Sequence, residues 1–104
     1  MRDNPERRRF ELPLPAARPP GAAAMAFINY QDRPVSPGAP GAARVRILTH
    51  AEVPAGLRGA GIGAQLTRGT LDLLRARGER MVPRCPFVVD FIRRHPEYLD
   101  LIAD

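Results

Sequence analysis

Lysine and tryptophan are absent from this 104-residue chain, and cysteine occurs once, as Cys85. Without lysine there is no side-chain amine for Schiff-base chemistry. A lone cysteine cannot close an intramolecular disulfide, which fits a reducing, cytoplasmic compartment. One cysteine and two histidines, His50 and His95, are too few for a Cys/His zinc cage, so no metal is expected. The longest apolar stretch, Gly21 to Ile28, falls far short of the ~20 residues a membrane span needs. The first ten residues, MRDNPERRRF, mix both signs of charge and carry no apolar core of a secretory signal. A soluble protein with no membrane partner is expected.

What is present is arginine: all sixteen basic residues, against eleven acidic ones, for a net charge of +5. The Arg7–Arg9 run is diluted by Glu6 and Glu11, and aromatics make up only 6% of the chain. Nucleic acid is therefore a poor fit, whereas a multiply anionic small molecule suits the charge. The length predicts a single domain, residues 1–104, with a thin core.

Eight of the twelve prolines precede residue 41, so the first part of the chain should hold short elements broken by turns. Arg9–Leu12 alternates as a half-buried strand does, and Ala24–Tyr30 reads as a second strand. A third runs from Arg44 to about Val53, with Val45, Ile47 and Thr49 alternating against Arg44, Arg46 and Leu48. The stretch from Asp32 to Gly41 is a loop by composition. A helix follows in which Ile62, Leu66, Gly69 and Leu73 form the apolar face, and Gln65, Arg68, Asp72 and Arg75 the solvated one. Gly69 on the apolar face would bring this helix close to a sheet. Gly78 stands where a left-handed cap belongs, and Glu79–Pro83 reads as a further strand, giving a parallel βαβ crossover. Pro86 opens a second helix with Cys85 as its N-cap, Pro96 ends it, and Tyr98, Leu99 and Ile102 can form one more short helix.

The strongest chemical signal is Arg58-Gly59-Ala60-Gly61-Ile62-Gly63, between a strand and a helix. Glycines there let successive N–H groups converge, and the helix N-terminus adds positive potential, so the turn can cradle an anion. No Gly-Lys-Ser/Thr follows, which excludes a Walker loop, and the spacing does not suit a dinucleotide fingerprint. A plain glycine turn tightening the junction explains the same spacing.

Arg58-x-x-Gly61-x-Gly63 is similar to the Arg/Gln-x-x-Gly-x-Gly/Ala signature of GNAT acetyltransferases. The chain resembles their short, single-domain branch most closely. Its blocks occur here in order: Arg9-Phe10-Glu11-Leu12, His50-Ala51-Glu52-Val53-Pro54, the glycine turn, Val82-Pro83-x-Cys85-x-Phe87-Val88 and His95-Pro96-Glu97-Tyr98. Ala51 departs from the usual threonine, and the Pro/Gly-rich stretch before residue 44 is long.

The resemblance implies an α+β fold: a mixed, mostly antiparallel sheet with a βαβ crossover and a second, C-terminal helix, splayed where strand 44–53 meets strand 79–83. It implies acetyl-CoA as cosubstrate, with the pyrophosphate on the amides of Arg58, Gly59, Ala60, Gly61, Ile62 and Gly63, and the pantetheine arm along Ala51 and Val53. The expected function is an N-acetyltransferase in which an amine, of a small molecule or peptide, attacks the thioester directly. The alternative is a CoA- or acyl-CoA-binding module without catalysis, a sensor or accessory protein. Candidate catalytic residues are Glu52 and His50, which alternation puts on one strand face beside the glycine turn. Cys85, at a helix N-terminus beside Arg84, is a candidate acyl acceptor or pocket-lining residue, and equally a small core residue. An acceptor wall would come from the 31–43 loop or from a second copy of the chain in a homodimer.

Overall fold

The structure, a computed structural model, describes residues 1–14, 25–33, 44–54 and 61–103. Its strands are β1 (Arg2–Asn4), β2 (Arg9–Pro13), β3 (Met25–Asp32), β4 (Val45–Glu52) and β5 (Arg80–Pro83). Helices α1 (Ile62–Arg77) and α2 (Pro86–Arg94) and a 3-10 helix (Pro96–Leu101) complete the chain order. The sheet order is β1-β2-β3-β4-β5, antiparallel up to β4 and parallel between β4 and β5, with α1 as the crossover. This is the mixed α+β arrangement that the sequence predicts.

The elements stop where the local chemistry says they should. Gly78 closes α1 at φ 69°, where an L side chain would be strained, and its N–H bonds back to the carbonyls of Leu74 and Arg75. Pro86 occupies the first turn of α2 and His95 ends it. Both helices pack on the same side of the sheet, closing a core around Phe10, Ala26, Ile28, Leu48, Leu66, Leu71, Leu74, Val88 and Phe91.

Three of the sequence readings are corrected. The buried stripe of α1 is Leu66, Thr67, Thr70, Leu71 and Leu74, rotated from the predicted face. Gly69 does not bring the helix to the sheet: a Cβ there would meet the side chain of Met1 at 3.3 Å. In β4, Arg46 rather than its apolar neighbour Ile47 turns inward, beside Leu48. The Arg46 guanidinium lies 2.6 Å from Asp32, 3.5 Å from Glu79 and 3.8 Å from Asp3, over the Tyr30 ring. Burial and the hydrogen bond to Asp3 push the Tyr30 phenol up to about 12, so it remains a proton donor.

The side of α1 expected to face solvent instead fastens the C-terminus. Arg75 grips Asp100 through two bonds of 2.8 and 2.9 Å, and Tyr98 donates to Asp72 at 2.8 Å. Beyond this clasp, Ile102 bridges Met81, and the Ala103 N–H donates to the Met81 carbonyl at 2.8 Å, so the tail lies on the free edge of β5.

Strand β1 has no alternation of its own and exists through its pairing with β2. Glu11, 1% exposed, accepts from Arg2 Nε at 2.9 Å, Arg9 Nε at 2.6 Å and Asn4 Nδ2 at 3.2 Å. Burial raises its pKa, but the bonds from Arg9, Arg2 and Asn4 outweigh that and hold the carboxyl below its ordinary value.

Replacing Arg46 by methionine removes the buried cation beside Glu79 and Asp3 and leaves them only the partly exposed Arg77, 3.8 and 2.9 Å away. Breaking a buried pair from one side costs about 3–5 kcal/mol. At ~4–8 °C per kcal/mol the melting temperature should fall by at least about 12 °C; a loss of under ~3 °C would refute this account. Glu11 predicts the acid limb. Because its folded pKa is lowered, its contribution is present above the unfolded carboxyl pKa of ~4.3 and is lost as pH falls through the folded value. Melting curves from pH 6 to 3 should therefore decline less steeply in Glu11→Gln than in wild type.

Candidate functional site

The parallel ladder between β4 and β5 ends at Leu48↔Pro83, four residues before β4 itself ends. At that point the chain leaves the sheet: the N–H groups of Arg84 and Cys85 both donate to the Leu48 carbonyl at 3.0 Å. Just past it, Thr49 is bulged between Asn29↔His50 and Tyr30↔Leu48, and its hydroxyl donates to the Asn29 carbonyl. A bulge bends its strand. The last turns of β4 thus diverge from β5.

The gap so opened is a cavity of about 560 Å³ lined by His50, Ala51, Glu52, Val53, Gly61, Gly63, Ala64 and Phe87. One wall is the end of β4, the second is the first turn of α1, and the third is Phe87 at the start of α2. Gly61 is the N-cap of α1 at φ 77°, with no side-chain cap and no acidic residue in the first turn. The positive end of a 16-residue helix therefore faces the cavity without an internal counter-charge. His50 Nε2 and Glu52 Oε2 are 3.7 Å apart, and both side chains are more than half exposed.

Six predicted site residues thus line one cavity: His50, Ala51, Glu52, Val53, Gly61 and Gly63. Ile62 is half-buried and packs against the core instead. Cys85 is the N-cap of α2 and 5% exposed, a member of the hydrophobic core and not of the cavity wall. Arg58, Gly59 and Ala60 lie outside the described residues. The sequence reading missed Ala64 and Phe87. The signal for Phe87 was a large aromatic off the Val88–Phe91–Ile92 stripe of its own helix; it stands 47% exposed at the cavity. Among the described residues no cluster of three metal-ligating side chains occurs, and no helix is long and apolar enough to cross a membrane.

Residues 9–101 match the family of GCN5-related N-acetyl-transferases, from β2 to the end of the 3-10 helix. The chain belongs to this family. An acetyltransferase type of function follows from membership. No curated protein matches the chain.

Gly63 and Phe87 are mutually constrained, since a Cβ on Gly63 would lie 2.6 Å from Phe87 Cζ. Gly63→Ala must therefore swing the ring aside, while gaining up to ~1 kcal/mol of helix propensity. A double-mutant cycle should show Gly63→Ala stabilising in a Phe87→Ala background by about 0.5 kcal/mol or more beyond its effect in wild type. Additive melting shifts would mean that the ring is not held against the glycine.

Proposed function

We propose that the chain transfers the acetyl group of acetyl-CoA to an amine, with the thioester in the gap between β4 and β5. The observation that carries this reading is the divergence of β4 from β5 beyond Leu48, directly beside the uncapped N-terminus of α1. Anionic pyrophosphate is suited to the amides of the first helical turn, with Arg58, Gly59, Ala60, Gly61, Ile62 and Gly63 as the proposed cradle. The strand backbone at Ala51 and Val53 suits the amide-bearing pantetheine arm, and Phe87 offers it an apolar flank.

The chemistry is a direct displacement. The amine lone pair attacks the thioester carbonyl, the C–N bond forms, and the C–S bond breaks to release CoA thiolate. The proton lost by the amine passes to a base, and another proton returns to the thiolate from solvent. Glu52 is assigned as the base, acting directly or through a water, and its charge also draws a cationic amine into the gap. His50, 3.7 Å away on the same strand face, is the competing base. Cys85 carries no step in a direct transfer.

CoA at ~100 times its dissociation constant should add about 2.7 kcal/mol of stability, a melting shift of roughly 10 °C or more. No shift at millimolar CoA would refute the reading, and a shift without transfer to any amine would favour a binding module. Glu52→Gln should leave the CoA shift intact and slow transfer by ~10²–10⁴-fold. The deficit should shrink as pH rises and free amine appears unaided. If His50→Gln is slowed instead, the base is the imidazole.

A further inference from the structure

The register of the sheet places two rows of side chains on the face away from the helices. One row is Arg2–Glu11–Phe27–Glu52 and the other is Asn4–Arg9–Asn29–His50. Their neighbours Phe10, Ile28 and Ala51 point the other way, to the core. Among the described residues no helix covers this second face: α1 and α2 share the single core on the opposite side. His50 and Glu52 at one end of the rows are the same side chains that line the gap.

At the other end, Arg2 and Arg9 are both tied to Glu11 through Nε, at 2.9 and 2.6 Å. Among the described residues neither guanidinium uses its Nη groups in a hydrogen bond, so both forks retain donors. The trio carries a net charge of +1, and Asn4 supplies Glu11 with a third bond. Arg9 is further fixed over the Phe27 ring, its Cζ 4.4 Å from the centroid, with a side chain only 20% exposed. A guanidinium already held in place loses little freedom on binding, and its planar fork matches a carboxylate or phosphate.

Resting on the acetyl-transfer reading above, we propose that the acceptor is an amine that also bears an anionic group, seated with its amine at Glu52 and His50 and its anion at Arg9 and Arg2. The two charge centres stand on β4 and β2, two strand spacings or about 10 Å apart. Phe27 lies between them and suits an apolar spacer. The polarity is fixed from both ends: Glu52 repels the anion from the gap, and Arg9 repels the amine from β2. A long ω-amino carboxylate or phosphate meets these demands. So does a short peptide with a free N-terminus and an acidic group at about its third residue, given ~3.3–3.6 Å per extended residue.

The test compares ω-aminooctanoate with octylamine, which lacks the carboxylate, and with ω-aminooctyl phosphate, in acetyl transfer by the full chain. The anionic acceptors should show kcat/KM about 10- to 100-fold above octylamine, mostly through KM, the worth of a charge-assisted bond. Whether carboxylate or phosphate gains more identifies the anion. That advantage should collapse to within about 2-fold in Arg9→Gln and persist in part in Arg9→Lys. Arg2→Gln, at a side chain 61% exposed, gives a partial loss and keeps the test readable if Arg9→Gln does not fold. Equal kcat/KM for octylamine and the anionic amines, or an advantage that survives loss of both arginines, would overturn the proposal and leave acetyl transfer standing. If no amine is acetylated, the acetyl-transfer reading fails on its own and the seat is tested by NMR titration with ω-aminooctanoate. Carboxylate-dependent shifts at Phe27 and Arg9 Nε then support it, and their absence overturns it.

Discussion

One carbonyl governs the layout of the site. The oxygen of Leu48 accepts from both Arg84 and Cys85, at 3.0 Å each, and so ends one strand and starts one helix. Because the Cys85 N–H turns back onto the oxygen that already accepts from Arg84, the chain after β5 does not advance along β4 and the ladder ends. The sheet must part there, while β4 runs on to Glu52. The bulge at Thr49 turns the surviving strand, and α2 departs with Cys85 at its head. Cavity, helix ends and candidate base all follow from where that ladder stops.

The cavity and the core compete for the same short elements. The first turn of α1 gives Gly61, Gly63 and Ala64 to the cavity and only from Leu66 onward turns to the core. In α2, Phe87 faces the cavity and Val88 the interior, one residue apart. A family domain of this size, matched from residue 9 to residue 101, therefore gives each helix start to the cavity and each helix body to packing.

Much of this arrangement is legible in the sequence. The helix beginning at Ile62 and its stop at Gly78 follow from period and cap chemistry, and His50 with Glu52 follows from strand alternation. The interior arginine was not legible, because alternation assigns faces by polarity and Arg46 breaks that rule through partners from β1, β3 and the turn before β5. Strand β1 was equally hidden: Arg2, Asp3 and Asn4 have no strand propensity worth the name, and only pairing with β2 extends them. The face of α1 was misassigned because its buried stripe includes Thr67 and Thr70 beside Leu71 and Leu74, and a search for apolar spacing does not pick out threonine.

The C-terminal tail that bridges Met81 has a consequence for how the molecule behaves among its own copies. A parallel edge strand such as β5 offers a row of unpaired backbone groups to any extended chain that drifts past. Ala103 occupies part of that row from within, and the Arg75–Asp100 clasp delivers it there. The 3-10 helix and Ile102–Ala103 thus act as a cork in an adhesive seam, and the charged clasp holds that cork in place.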